Sequence, residues 1–104
     1  KRPLPRQYMK KTTLIMIRHK LIPVLKAHRV THASIIGSYA RGEQHSKSDI
    51  DIVVRIQHGA DLLQLVQLRT ALQKTINKKV DLVEYEGIRK ELKATLLHKQ
   101  IPLL

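Results

Sequence analysis

The chain has no cysteine, which excludes both a disulfide framework and a thiolate zinc site and makes a reducing cytoplasm the expected compartment. It also lacks any apolar run near the roughly 18 residues that a membrane span needs. Its basic opening, KRPLPRQYMKK, has no signal-peptide core, so no membrane association is expected. Acids are scarce: 8 Asp and Glu stand against 20 Lys and Arg, a formal charge of +12. That balance favours an acidic or polyanionic partner, whether nucleic acid, a nucleotide or an acidic protein surface. The 104 residues provide for one domain with one core, not for a catalytic domain plus a separate substrate-binding domain. A large substrate must therefore be presented by another molecule.

What is present reads as alternating helices and strands. Residues 1–11, with Pro3, Pro5 and several basic side chains, read as a flexible basic tail ahead of a single domain over 12–104. From Thr12 to about His28 the spacing of Leu14, Ile17, Leu21, Val24 and Leu25 predicts a helix, which Pro23 should kink or divide. ASIIG reads as a short strand ending at Gly37, DIDIVVRI as a second and KKVDLVEY as a third. Between the last two, ADLLQLVQLRTALQKTI predicts an amphipathic helix with Asp61 and Gln64 forming a capping box. Its core face is expected to carry Leu62, Leu65, Val66, Leu72 and Ile76, with Leu63 and Leu68 widening the stripe enough for a partner or homo-oligomer contact. IRKELKATLLHK predicts a last helix, stopped before Pro102. The order αβαβαβα defines an α/β domain.

The motif is GSYARGEQHSKSDIDIVV, residues 37–54. Alternation along a strand puts Asp49 and Asp51 on one face, about 7 Å apart, and turns Ile50, Ile52 and Val54 to the other face. Paired carboxylates repel unless a cation neutralises them, and an oxygen-only ligand set suits Mg²⁺ or Mn²⁺. Asp81, between Val80 and Leu82, is the third acid that can face the same cleft. Three such acids could hold two metal ions, the recurrent arrangement for nucleotidyl transfer. Gly37 permits a sharp bend, Ser38 opens a short helix whose free amides favour an anion, Arg41 lies where it can reach a phosphate, and Gly42 ends the helix. Singly, each has a plainer structural reading. Together, the spacing G-S-x10-D-x-D arises by chance in roughly one chain of this length in a thousand.

This run, followed after one helix by VDLVEY, resembles the minimal nucleotidyltransferases (MNT) of the DNA polymerase beta superfamily, over most of the chain. The resemblance implies a nucleotidyltransferase fold, a small three-stranded mixed sheet flanked by helices. It implies that Asp49 and Asp51 bind metal, with Asp81 as the third acid near the acceptor hydroxyl, and that Gly37 and Ser38 hold the terminal phosphates. Many such proteins are antitoxins encoded beside a helical HEPN ribonuclease toxin. Likeness to those implies transfer of AMP from ATP to a tyrosine of the toxin. The rival class is a binding protein, a non-catalytic antitoxin or nucleic-acid-binding subunit that acts by contact; transfer to a small molecule is a third reading that would want an added domain.

Other residues read more plainly. His28 and His32 are four apart but straddle a helix end, His45 is a solvated loop side chain, and Tyr39 packs on its helix rather than stacking on a base. Glu84 falls on the face opposite Asp81.

Overall fold

A computed structural model describes residues 6–45 and 48–104, with side chains from residue 13 onward. Helix α1 (Arg6–Ala27) leads into β1 (Val30–Ile36), the short helix α2 (Gly37–Arg41) and β2 (Ile50–Ile56). Helix α3 (Leu62–Ile76) crosses to β3 (Val80–Glu84), followed by a single 3-10 turn (Tyr85–Gly87), α4 (Lys90–Leu96) and β4 (Ile101–Pro102). Of the stretch read as a tail, residues 1–5 lie outside the described residues and α1 takes in the rest from Arg6.

The sheet is mixed, in the order β3-β2-β1-β4. β1 pairs antiparallel with β2, while β2 and β3 are parallel because α3 carries the chain back across the sheet. The α/β architecture matches the expectation, with one correction: the sheet has four strands, not three. Pro102, expected only to stop a helix, sits in β4 opposite Ser34. Proline cannot donate to a ladder, and a two-residue edge strand is the position where that lack is tolerated. The backbone N–H of Leu103 completes the seam by donating to the Ala33 carbonyl at 2.8 Å.

The main core lies between the sheet and α1 with α3. Leu21 and Leu25 of α1, Leu68 and Leu72 of α3, and Ile50 and Ile52 of β2 are fully buried there. Each buried leucine or isoleucine contributes roughly 1.5–3 kcal/mol of hydrophobic stabilisation. Pro23 lies inside α1 without ending it. A missing backbone donor costs one helical hydrogen bond, whereas breaking the helix would uncover the seam of Ile17, Leu21 and Leu25.

Helix α3 starts as expected, with Asp61 accepting from the Gln64 N–H at 2.8 Å and Gln64 reaching back to the Asp61 N–H at 2.9 Å. Its buried face keeps Leu72 and Ile76 of the expected set but is rotated at the start of the helix. Leu68 and Leu72 point inward, while Leu62 and Leu63 are 78% and 65% exposed and Val66 is exposed as well. A helix with apolar residues on most sides has no phase of its own, and contact with the sheet chooses one. On the opposite sheet face a smaller cluster of Ile36, Val53 and Ile88 packs with Val83, Tyr85 and Leu97.

Candidate nucleotidyl-transfer site

The candidate site stands at the end of the sheet where β1 finishes and β2 begins. β2 alternates as its sequence requires: Ile50, Ile52 and Val54 enter the main core, and Asp51 lies on the other face with Val53. The antiparallel register sets Asp51 opposite Ile36, the residue before Gly37, and the parallel register sets it beside Asp81. Two strands and a turn that are distant in sequence thereby converge on one carboxylate.

Gly37 is required twice. Its φ of +72° is a conformation that other residues adopt only with strain, and a Cβ built there would collide with Asp51 Oδ2 and sit 3.1 Å from Asp51 Cγ. The glycine thus lets the turn backbone close on the carboxylate. α2 begins at Gly37, one residue before the expected Ser38, and has Ile36 as its N-cap without a side-chain capping bond. Gly42, with a φ of +72°, ends the helix as expected. Tyr39 is buried in the main core, which bears out packing over base stacking.

The three acids are neighbours with different surroundings. Burial pushes the Asp51 carboxyl above its ordinary range, and the Asp81 charge, a hydrogen bond between the two carboxyls and the Asp49 charge raise it further; Arg41 opposes them. Asp49 instead turns toward Lys79, whose Nζ lies 3.7 Å from Asp49 Oδ2. Among the described residues no three His, Cys, Asp or Glu side chains converge as a ready metal-binding group. The donor set nevertheless fits a hard divalent cation: it is all oxygen, and the like charge that Asp51 experiences, only partly offset by Arg41, is what such an ion would relieve.

Arg41 is half exposed and donates from Nε to Glu43 Oε2 at 3.2 Å, while its charge is still felt at Asp51. It is therefore next to the site but engaged by an acid that the sequence reading left out. Gln44 was missed as well. It is buried, and among the described residues its Oε1 has no hydrogen-bond partner. In the same loop the Ser48 hydroxyl accepts from the His45 N–H at 2.8 Å, fixing the approach to Asp49. Nothing in a polar run such as EQHSKS marks which side chain will turn inward.

Comparison with known proteins now defines the class. The chain belongs to the polymerase beta nucleotidyltransferase family, whose description, "Polymerase beta, Nucleotidyltransferase", matches residues 19–104. It is similar to MJ0435 of Methanocaldococcus jannaschii, a protein provisionally named a protein adenylyltransferase, with 44% identity over 88 residues covering 85% of this chain and 95% of that one. Among solved structures it is similar to a provisionally named minimal nucleotidyltransferase, with a TM-score of 0.76 and 31% identity over 88% of this chain and 93% of the other. It is similar also to a chain of a toxin-antitoxin crystal structure with AMP-PNP, with a TM-score of 0.75 and 27% identity over 84% of this chain and 72% of that one. No helix among the described residues is long and apolar enough to cross a membrane.

Proposed function

We propose that this chain is an antitoxin that transfers AMP from ATP to a tyrosine of a HEPN-type toxin. The observation that carries the reading is the convergence at Asp51, which has Asp81 in register on one side and the Gly37 turn closed against it on the other. Relatives named as protein adenylyltransferases and the similarity to a toxin-antitoxin complex with AMP-PNP support the choice of nucleotide and partner.

In this reading Gly37 and Ser38 cradle the terminal phosphates of ATP and Asp49, Asp51 and Asp81 hold one or two Mg²⁺ ions, with Mn²⁺ as a substitute. Bound there, the metal would neutralise phosphate charge and lower the pKa of the acceptor hydroxyl. Asp81 is exposed on β3 and faces the incoming tyrosine, and Asp51 is held rigidly by its buried neighbours Ile50 and Ile52. Arg41 exchanges Glu43 for a phosphate oxygen. An open site suits an acceptor delivered on a folded protein, which supplies orientation and excludes water on docking. The positive surface speeds the encounter with an acidic partner.

Incubation of the protein with Mg²⁺, labelled ATP and the product of the adjacent reading frame is expected to add the mass of AMP to that product at tyrosine. Labelling of an RNA end or a small alcohol instead would overturn the protein-acceptor reading and leave the nucleotidyl-transfer chemistry. Arg41→Ala is expected to weaken ATP binding by about 1 to 3 kcal/mol, the range of a charge-assisted hydrogen bond, without removing metal binding. Unchanged ATP affinity in calorimetric titration would make Arg41 a surface charge paired with Glu43.

A further inference from the structure

A cavity lies at the end of the sheet away from the carboxylates. β1 and β2 run antiparallel, so the register that places Ile36 beside Asp51 places Val30 beside Ile56 six residues away, about 20 Å along the strands. There, between the end of α1, the turn after β2 and the first turns of α3, is a cavity of about 400 Å³. Its polar wall is Arg29, His28, His58, Gln57, Gln64 and Gln67, over a floor that includes the buried Leu68, and among the described residues no carboxylate lines it. Among the described residues no ion pair engages Arg29.

The backbone adds a second, independent reason to single out this place. Arg29 and His58 have φ of 64° and 63°, a left-handed region that glycine, asparagine, aspartate and histidine favour at a helix end or tight turn and that arginine rarely occupies. The Gln57 N–H donates to the Arg29 carbonyl at 3.0 Å, which locks the two turns together across the cavity. At two left-handed positions lining one cavity the chain therefore carries side chains that could bind an anion, and at Arg29 that side chain stands where the backbone favours glycine. Backbone strain of this kind is held where a side chain has a use.

We infer that this cavity binds a small phosphate monoester, separately from the carboxylate site. One permanent cation and two imidazoles suit a single phosphate better than a polyphosphate. The guanidinium can grip two phosphate oxygens, and the amides of Gln57 and Gln67, with the Gln64 Nε2 left over from the capping box, offer hydrogen-bonding groups to a hydroxyl-bearing body. The volume lies in the range of small-ligand sites.

The test is residue-resolved NMR titration of the full chain with inorganic phosphate, ribose 5-phosphate and a single-stranded RNA hexamer. Ribose 5-phosphate is expected to give saturable shifts at the amides of Gln57, His58 and Gly59. Arg29→Gly and His58→Gly are each expected to weaken binding about tenfold or more while unfolding at the same temperature as the parent chain or higher, since glycine relieves the left-handed strain. Adenylylation of a partner should be unchanged in Arg29→Gly, so the outcome here is independent of the proposed function. The inference is overturned by shifts confined to Gly37 and Ser38, by undiminished binding in Arg29→Gly, or by a loss of stability in that variant, which would make the arginine structural. Tighter binding of the RNA hexamer through the same amides would equally overturn it, in favour of a nucleic-acid surface.

Discussion

Replacing Asp49 and Asp51 together with asparagine is expected to abolish nucleotidyl transfer while leaving the folded chain at least as stable as the parent at neutral pH. Burial and the charges of Asp81 and Asp49 raise the folded-state pKa of Asp51 above its unfolded value, so ionising this group opposes folding. The sign follows from that direction. Relative to the ionised form, the stability associated with the protonated carboxyl is fully present below the ordinary aspartate range and is lost as pH rises through the raised folded value. Asparagine does not ionise, and its amide can still hydrogen-bond Asp81. The variant should therefore gain on the parent across that window and converge with it in acid. The ion pair between Asp49 and Lys79 is exposed, so its loss costs at most about 1 kcal/mol. Urea unfolding from about pH 3 to about pH 8, with and without Mg²⁺, measures the effect. Mg²⁺ should stabilise the parent and not the variant, and transfer at the parental rate by the double variant would sink the catalytic role of these acids.

The second large effect is expected from Gly37→Ala, read against Gly42→Ala. Both glycines have φ of +72°, so both substitutions incur the left-handed penalty of about 1 to 2 kcal/mol. At Gly37 the new methyl group meets the Asp51 carboxylate, whereas at Gly42 nothing among the described residues lies within 4 Å of it. Strand β2 cannot retreat, because Ile50 and Ile52 on either side of Asp51 are fully buried. The carboxylate must rotate or the turn must open. A displacement near 1 Å at a reacting centre lowers rate by about a hundredfold, and transfer by Gly37→Ala should fall by at least that much. Gly42→Ala should unfold at a lower denaturant concentration yet retain most of its kcat/KM. Equal losses of activity in the two variants would break the link between the turn and the carboxylate.

Sequence reasoning was strongest where covalent geometry dictates the answer. Strand alternation placed Asp51 opposite in facing to Ile50 and Ile52, the Asp61–Gln64 capping box formed, and Gly42 closed α2. It was weakest where distant contacts decide. Leu62 and Val66 carry the right residue type for the core of α3, but the sheet took Leu68 together with the expected Leu72. Pro102 carries a helix-stop signal, but the edge of β1 offered it a strand. Tyr85 gives no local hint that Arg55 and Lys93 will lie over its ring, at 4.0 Å and 4.4 Å from the centroid. At the candidate site the facing of Asp51 and Asp81 was legible from strand alternation, whereas the claims of Lys79 on Asp49 and of Glu43 on Arg41 were not, because side-chain pairing depends on which loops come together.

The parallel pairing of β2 with β3 also sets an order of events during synthesis. Gly37 and Asp51 both precede α3, and the antiparallel β1–β2 register that brings them together is a contact local along the chain. Asp81 comes into register only after all of α3 has emerged and folded back across the sheet. A nascent chain therefore completes its set of acids late, and a fragment that stalls within α3 presents two carboxylates without the third.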